Sequence, residues 1–300
     1  MTAKIILNPY SARWRASKRF PEAASALRDA GVEFEVARSE ERGGCTALAE
    51  QAVRDGFSPI IAAGGDGTIG EVVNGIVKAT SEGEPLPPFG IIPLGTANDL
   101  ICNLNMPIGL KEAAEIIAAG KTRQMDLCAV NGHYFANNTA LGLEPLVTIT
   151  QEKIGWLKGI PRYLYAALSA IYQGTSWHAE LKWDDGEYSD PISLITIGNG
   201  AQTGGLFYMA PHAEPFDGKM TFVYGYVKSR LRMLSLLPLT MKPDDGSYVE
   251  KDEIFEVHTT RLSVKLTTSS PAHADGELFD RNLFEAEYQI FPGRLPILMP

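Results

Sequence analysis

The stretch that decides the fold is residues 59–71, which reads Pro-Ile-Ile-Ala-Ala-Gly-Gly-Asp-Gly-Thr-Ile-Gly-Glu. Its first part, Ile60 to Ala63, is a short apolar run of the kind that forms a buried parallel strand. Glycines at 64, 65 and 67 let backbone N–H groups approach an anion closely, and a helix-compatible stretch from Thr68 to Val77 adds the positive potential of a helix N-terminus. The segment predicts a strand, a phosphate-binding turn and a helix.

Asp66 lies inside this glycine turn and sets it apart from a plain strand-to-helix connection. A carboxylate that faces phosphates is repelled by them unless a metal ion or a transferable proton lies between. Asp66 is therefore expected to hold Mg²⁺ on the phosphates, directly or through water.

A second turn of the same kind follows the next predicted strand, Phe89 to Ile92. Gly95 permits a tight turn, and Asn98 or Asp99 is suited to begin a helix. Ligands of open parallel sheets bind at the carboxyl ends of neighbouring strands, so the two turns are expected to form one site.

The chain divides into two halves of different pattern. Residues 1–128 alternate strands and helices, which predicts an α/β domain with a parallel, Rossmann-like sheet. Residues 129–290 contain short strands bounded by Gly, Asp or Pro, which predicts a β-rich, sandwich-like domain. One helical insertion is predicted there, at residues 156–172.

Composition limits the classes of function. The net charge of −9 argues against binding to nucleic acid. Three cysteines form no disulfide framework and no metal-binding spacing, as expected of a reduced, cytoplasmic protein. No run reaches the roughly 18 apolar residues that a membrane span needs. The oligomeric state is left open by the sequence.

Several ordered motifs resemble those of one family. The two glycine turns, together with Asn8-Pro9-Tyr10-Ser11 near the N-terminus, resemble the bacterial lipid kinases of the diacylglycerol kinase catalytic family, within the NAD kinase/diacylglycerol kinase-like superfamily. The resemblance implies ATP and Mg²⁺ as cofactors and a lipid hydroxyl, most often that of diacylglycerol, as acceptor. It also implies that residues 291–300 return to the first domain. The chain departs from the family pattern at Ala12, where the family usually has glycine.

The resemblance assigns a set of residues to the nucleotide, with Ser39 at a position that is usually Thr. A turn or capping serine is the alternative at that position. The expected nucleotide-binding residues are Asn8, Pro9, Ser11, Ser39, Gly64, Gly65, Gly67, Thr68, Glu71, Gly95, Thr96, Asn98 and Asp99.

Asp275-Gly276-Glu277 forms a polar turn between two strand-like runs. Such a turn is a common hairpin connection. The resemblance makes it the catalytic motif, with Glu277 as the expected proton acceptor and Asp275 as its neighbour or substitute. Two carboxylates in close proximity raise the pKa of one of them, which suits a general base. Asp66 completes the expected catalytic set.

The resemblance also implies a second, structural magnesium site. Asp217 would supply its carboxylate, while Glu214 and Lys219 would supply backbone carbonyls and Asp126 would join through water. Oxygen-only ligation suits magnesium. An ordinary surface Asp-Gly turn is the alternative.

Three rival functions remain. An NAD kinase shares the Gly-Gly-Asp-Gly-Thr turn, but its Thr-Pro-Thr-Gly-Ser-Thr-Ala-Tyr segment is absent from this sequence. A phosphofructokinase-type sugar kinase fits the β-rich second half poorly. The third alternative is a regulator that binds nucleotide or lipid without turnover, because Ala12 replaces the usual glycine of the first nucleotide loop.

Two segments without any Asp or Glu predict contact with the surface of anionic membranes, 153–177 and 228–242. They interleave basic residues with aromatic or aliphatic ones, a combination that suits the bilayer interface. Two helices that cover the core, with a solvated basic rim, are the alternative. The basic residues are Lys153, Lys158, Arg162, Lys228, Arg230, Arg232 and Lys242, and the aromatic ones are Trp156, Tyr163, Tyr165, Tyr172 and Trp177.

Overall fold

The computed structural model of the chain describes residues 2–154, 156–157, 160–174, 176–243 and 245–300. Lys158 of the first basic segment lies outside the described residues. The N-terminal elements are β1 (Ala3–Leu7), α1 (Ser11–Asp29), β2 (Phe34–Arg38), α2 (Cys45–Arg54), β3 (Ile60–Gly64), α3 (Asp66–Ala79), β4 (Phe89–Pro93), α4 (Asp99–Asn103), α5 (Leu110–Ala119) and β5 (Thr122–Val130).

The first four strands form a parallel sheet in the order β2-β1-β3-β4. Every residue of β3 and β4 is buried, because helices cover both faces of the sheet. Helices α2 and α3 pack on one face and share a core with Ile60 and Phe89, while α1 and α5 pack on the other around Ile5 and Ile61. The parallel α/β sheet predicted from the sequence is confirmed.

The second half of the chain is predominantly antiparallel. Its elements are β6 (His133–Phe135), β7 (Asn138–Gly142), α6 (Leu143–Lys153), α7 (Ile160–Gln173), β8 (Trp177–Trp183), β9 (Gly186–Ile192), β10 (Leu194–Gly198), β11 (Gln202–Thr203), β12 (Phe207–Tyr208), β13 (Met220–Gly225), α8 (Arg230–Leu236), β14 (Ile254–Thr259), β15 (Arg261–Ala274) and β16 (Glu277–Leu298).

These strands form a β-sandwich whose core includes Phe135, Phe222 and Tyr288. The long strand β16 joins the sandwich to the first sheet. It pairs antiparallel with β15 and β5, and Ile297 near its end pairs parallel with Phe89 of β4. The domain boundaries at residues 128 and 290 stay predictions.

The helical insertion differs from its prediction. Instead of one helix at 156–172, two helices lie in this region, α6 at Leu143–Lys153 and α7 at Ile160–Gln173. The start of α6 was missed because Leu143 follows directly on the buried strand β7 and continues its apolar run. The second basic segment contains α8, followed by a 3₁₀ turn at Leu237–Met241. In the part of the chain that the structure describes, no helix has the length and apolar character needed to cross a bilayer.

Candidate active site

The two glycine turns lie back to back at the carboxyl ends of β3 and β4. A Cβ atom added to Gly95 would lie 2.5 Å from the Cα atom of Gly65 and 2.6 Å from Oδ1 of Asn98, so only glycine fits there. Asn98 adopts a left-handed φ of 55°, and its Oδ1 accepts a hydrogen bond from the Gly95 amide at 3.1 Å. The turns thus form one surface, with a backbone close approach of the kind that phosphate sites need.

The N-terminal loop reaches the same place through the side chain of Thr68. Asn8 Nδ2 donates to Thr68 Oγ1 at 3.1 Å, and the hydroxyl of Ser11 lies 3.0 Å from the same oxygen. The next residue, Ala12, has a φ of 50°, in the left-handed region that glycine occupies without cost. This conformation gives a physical reason for the glycine that the family usually has at this position.

Asp66 is half-buried and Asp99 is buried, and their carboxylates lie near each other. Oδ1 of Asp66 accepts a hydrogen bond from the Leu100 amide at 3.2 Å, and burial raises the pKa of Asp66. Burial, and then the charge of Asp66, raise the pKa of Asp99 to about 7. The Asp99 oxygens accept hydrogen bonds from the amides of Gly204 and Gly205, each at 2.7 Å. Asp99 therefore fastens the second glycine turn to a loop of the C-terminal domain.

Asp275 and Gly276 form the two-residue hairpin turn between β15 and β16, with φ of 46° and 81°. These two left-handed residues are typical of a type I′ turn. The Asp275 carboxylate is buried and accepts hydrogen bonds from three backbone amides, those of Ala136 at 2.9 Å, Asn137 at 2.9 Å and Asn138 at 3.1 Å. Burial raises the pKa of Asp275 to about 6, although these amides act to lower it. With its oxygens held in this way, Asp275 positions the turn.

Glu277 is exposed at the start of β16 and lies against the first turn of α3. A Cβ atom added to Gly67 would lie 2.8 Å from Oε1 of Glu277. The predicted catalytic turn is therefore docked on the predicted phosphate turn, although the residues are far apart in sequence. Of the two acids, Glu277 is exposed and Asp275 is buried, and the role of Glu277 as proton acceptor stays a prediction.

Two of the expected nucleotide residues use their polar atoms elsewhere. Oε2 of Glu71 accepts a hydrogen bond from the Cys45 amide at 2.9 Å, which holds the N-terminus of α2. Burial, followed by the charge of Glu71, raises the pKa of the Cys45 thiol to about 12. Ser39 is buried, and its hydroxyl donates to the Glu41 carbonyl within its own loop. The nucleotide contacts expected of Glu71 and Ser39 stay predictions, as do those of every other residue that the resemblance assigns to the nucleotide.

The predicted second metal loop is organised around Asp126. The carboxylate of this buried residue accepts hydrogen bonds from the amides of Gly218 and Gly293, each at 2.7 Å. Asp217 is exposed, and its Oδ1 accepts from the Lys219 amide at 2.8 Å. Within the described ranges, no three His, Cys, Asp or Glu side chains are grouped so as to hold a metal ion. An exposed carboxylate beside Glu214 and Lys219 is a donor set that fits a hydrated Mg²⁺ ion, which keeps several waters.

An apolar cavity that sequence reasoning missed lies between α6, α7 and α8. Tyr163 of α7 stacks on Phe207, with ring centroids 4.6 Å apart, and a Cβ atom added to Gly204 would lie 2.8 Å from the Tyr163 ring. The cavity therefore begins beside the loop that holds Asp99. Its lining consists of Leu143, Glu144, Val147, Tyr163, Ala167, Ile171, Leu194, Phe207, Met209, Val227, Met233, Leu236, Leu237, Thr240 and Tyr248.

Glu144 is the charged residue of this lining. It is buried and accepts hydrogen bonds from Asn138 Nδ2 at 3.2 Å and Thr196 Oγ1 at 2.8 Å, while His273 Nε2 lies 3.2 Å from its Oε1. Its signal in the sequence was a single acid inside an apolar stretch, Ala140 to Val147. A carboxylate in an apolar wall presents an acceptor to the polar head of an amphipathic ligand.

Two family models match the chain. The diacylglycerol kinase catalytic domain matches residues 2–130, and the YegS C-terminal NAD kinase beta sandwich-like domain matches residues 137–299. The chain belongs to the diacylglycerol kinase catalytic-domain family of lipid kinases. The family predicted from the motifs is confirmed.

Individual relatives extend over nearly the whole chain. It is 30% identical over 299 residues to a protein of Chromohalobacter salexigens described as "Probable lipid kinase YegS-like", covering 99% of this chain and 92% of that protein. It is 27% identical to a diacylglycerol kinase of Staphylococcus epidermidis, covering 92% and 85%. A solved structure of a diacylglycerol kinase from Bacillus anthracis superposes with a TM-score of 0.75 at 20% identity, covering 100% and 97%, which shows that the two share a fold.

Proposed function

We propose that this lipid kinase transfers the γ-phosphate of ATP to the hydroxyl of diacylglycerol in a reaction that needs Mg²⁺. The observation that carries the proposal is the contact between Glu277 and Gly67, which sets a carboxylate beside the phosphate turn. Phosphoryl transfer needs a phosphate clamp, neutralisation of phosphate charge and a group that accepts the proton of the attacking hydroxyl. In the proposal the glycine turns are the phosphate clamp, Asp66 holds the Mg²⁺ that neutralises charge, and Glu277 accepts the proton.

In this reaction the lipid hydroxyl oxygen forms a bond to the γ-phosphorus, and the bond from that phosphorus to the bridging oxygen of ADP breaks. Glu277 takes the hydroxyl proton, and Asp275 holds the turn that carries it through three amide hydrogen bonds. Backbone amides of the two glycine turns bind the phosphates. Mg²⁺, when bound, would neutralise phosphate charge, and Asp66 is the residue expected to hold it because its half-buried carboxylate lies within the phosphate turn.

The apolar cavity supports a lipid as the acceptor. It is lined almost entirely by aliphatic and aromatic side chains, and it begins beside the Gly204–Gly205 loop that binds Asp99. Acyl chains in this cavity would leave the polar head near Glu144 and the phosphate turns. Diacylglycerol is proposed among lipids because several relatives over most of the chain are diacylglycerol kinases.

The test is transfer of label from [γ-³²P]ATP in the presence of Mg²⁺ to a panel of acceptors. The panel contains diacylglycerol, monoacylglycerol, phosphatidylglycerol, a sphingoid base and NAD, and Glu277→Gln serves as the matched inactive enzyme. We expect label in phosphatidic acid with the wild type and its loss with the variant. Label only in another lipid would show that the acceptor is that lipid and not diacylglycerol. Label in NADP would show that the protein is an NAD kinase. ATP binding without any labelled product would indicate a regulator.

A further inference from the structure

Glu144, the charged residue of the apolar cavity, keeps more capacity for hydrogen bonds than its neighbours use. It lies in the first turn of α6 and is 7% exposed. An ionised carboxylate has two oxygens with about four positions that accept hydrogen bonds. In the described part of the chain, two donors bond to it, Asn138 Nδ2 at Oε1 and Thr196 Oγ1 at Oε2. The carboxylate can therefore accept a further hydrogen bond from a ligand in the cavity.

The side chain of His273 adds to the polarity at this end of the cavity. Its Nε2 lies 3.2 Å from Oε1 of Glu144, and the side chain is 3% exposed. Among the residues that the structure describes, neither ring nitrogen of His273 has a well-aligned hydrogen-bond partner. Buried polar groups that lack full hydrogen bonding cost stability. Two such residues side by side point to a role in binding and not in packing.

Glu144 is joined to the candidate catalytic turn through one residue, Asn138. The side chain of Asn138 donates to Glu144, while its backbone amide donates to Oδ1 of Asp275 at 3.1 Å. Burial, followed by the charges of Glu144 and Asp99, raises the pKa of the Tyr163 hydroxyl. Tyr163 lines the cavity, so the polar end of the cavity lies toward the candidate active site.

A carboxylate at this place favours one kind of lipid head over another. Diacylglycerol has a single hydrogen-bond donor, the hydroxyl that reacts, and its ester oxygens are acceptors. A lipid with a second free hydroxyl can donate that hydroxyl to Glu144 while the first one reacts. We propose that Glu144 determines specificity for such heads, so that the enzyme also phosphorylates glycerol lipids with one hydrocarbon chain and two free hydroxyls. The transfer step rests on the proposed function.

The transfer follows the same course as with diacylglycerol. The oxygen of the terminal hydroxyl forms a bond to the γ-phosphorus, the bond from that phosphorus to the bridging oxygen of ADP breaks, and Glu277 takes the proton. The middle hydroxyl keeps its proton and donates it in a hydrogen bond to Glu144. A head with a phosphodiester would place a negative charge beside Glu144 and Asp99 in apolar surroundings, which is unfavourable. His273 already supplies a basic group beside Oε1, so a neutral hydroxyl is the fitting donor.

The test compares two lipids that differ in a single hydroxyl. The dodecyl monoether of glycerol has the middle hydroxyl, and the dodecyl monoether of trimethylene glycol lacks it. Transfer of label from [γ-³²P]ATP is measured for both with the wild type. We expect kcat/KM to be about tenfold or more higher for the glycerol ether, because the other ether cannot make the hydrogen bond to a charged group. This comparison needs no variant, so it is decisive even if a change at Glu144 impairs folding.

Glu144→Gln is the enzyme variant, and Glu256→Gln is its matched control. The side chain of Glu256 is 11% exposed and also lies beside a histidine, His212, but it is outside the described cavity lining. We expect Glu144→Gln to reduce the preference for the glycerol ether by about threefold or more, because a neutral acceptor forms a weaker hydrogen bond than a charged one. Glu256→Gln should retain the preference of the wild type.

Binding without ATP separates the recognition of the head from the reaction. Equilibrium dialysis with the two tritiated ethers should show the same preference and the same dependence on Glu144. Equal values for both ethers, or a preference that both variants retain, would overturn the role of Glu144 even if diacylglycerol is phosphorylated. A wild type that phosphorylates phosphatidylglycerol or a sphingoid base in preference to the glycerol ether would overturn it as well. Preferential binding of the glycerol ether, with no labelled product from any lipid, would support the role of Glu144 and reject the proposed function.

Discussion

The glycine turns of the N-terminal domain and the helices α6 to α8 of the C-terminal domain border one candidate site. The two regions differ in the kind of residue that determines their structure. The conformation of the turns depends on single residues. Gly95 must be glycine because it lies against the Gly65 backbone, and Asn98 adopts a left-handed φ. The helices are specified by apolar residues that point both toward the core and outward. The first region consists of glycines and carboxylates, and the second consists largely of aliphatic and aromatic surface.

The difference teaches that the proposed phosphate site is much easier to detect in the sequence than the proposed lipid site. Glycine and aspartate at fixed offsets are rare in ordinary cores, so their pattern points to chemistry. Leucine, alanine and tyrosine occur in every core, so a cavity made of them is visible only in three dimensions. The predictions below separate the two regions, because changes in the turns should act on kcat and changes in the helices should act on lipid KM.

The largest effect is expected from Glu277→Gln. Loss of the proton acceptor should lower kcat by about 10²–10⁴-fold. ATP affinity and melting temperature should stay close to wild type, and Glu285→Gln on the same strand is the control.

Asp275→Asn should behave differently, because an amide NH₂ cannot accept hydrogen bonds from three backbone amides, and a buried unsatisfied group costs about 1–3 kcal/mol of stability. A stable Asp275→Asn protein without activity, beside an active Glu277→Gln protein, would exchange the two roles.

Asp66→Asn should lower kcat by about a hundredfold or more, since an interaction made mainly in the transition state contributes roughly 3 kcal/mol. The asparagine Oδ1 can still accept from the Leu100 amide, so the circular dichroism spectrum should be unchanged. Asp55→Asn, an exposed carboxylate at the end of α2, is the control. Near-normal turnover at saturating Mg²⁺ would remove Asp66 from the catalytic set.

Ala167→Phe should fill part of the apolar cavity and raise KM for long-chain diacylglycerol by about tenfold, because each methylene kept out of the cavity forfeits about 0.8 kcal/mol. The overpacked variant is also expected to lose about 1–3 kcal/mol of stability, so it is assayed well below its melting temperature. ATP KM and activity on a short-chain diacylglycerol serve as internal controls. Equal effects on both substrates would mean that the cavity does not hold acyl chains.

Asp217→Ala should abolish a stabilisation that Mg²⁺ gives to the wild type. An ion that binds only the folded loop, at ten times its Kd, adds about 1.4 kcal/mol, which corresponds to roughly 2–4 °C in melting temperature. Asp280→Ala is a close control, because its carboxylate also accepts from the amide two residues further on. If chelation of Mg²⁺ lowers the melting temperature of the wild type and of Asp217→Ala by the same amount, the ion binds elsewhere.

The smallest effect is expected from Ala12→Gly. Ala12 adopts a left-handed φ, which glycine tolerates better than alanine, so the substitution should raise the free energy of unfolding by about 1 kcal/mol. Ala26→Gly, in the regular part of α1, should lower it by a similar amount, about 0.5–1 kcal/mol. Denaturant titrations of the two variants decide the matter. A loss of stability in Ala12→Gly would show that the loop does not need the glycine conformation.

The sequence predicted the order of the N-terminal elements and the meeting of the two glycine turns, because strand ends in a parallel sheet converge by rule. Hairpin formation by Asp275 and Gly276 was also predictable from local turn chemistry. The contact of that turn with Gly67 could not be derived from the spacing of residues in the sequence. Only the family resemblance assigned the turn to the candidate site. The start of α6 was missed because Leu143 continues the apolar run of β7, so no polar residue marks where the strand ends and the helix begins.

Strand β16 carries a consequence for how the enzyme can move. It begins at Glu277 in the candidate active site and ends at Leu298, where it pairs with Thr122 of β5, next to the pairing of Ile297 with Phe89 of β4. The two domains are therefore joined by a continuous hydrogen-bonded strand as well as by loops. We expect any movement of one domain against the other to bend this strand at the register shift between Phe291 and Leu295. A change in the angle between the domains would therefore change the distance between Glu277 and the glycine turns of the first domain.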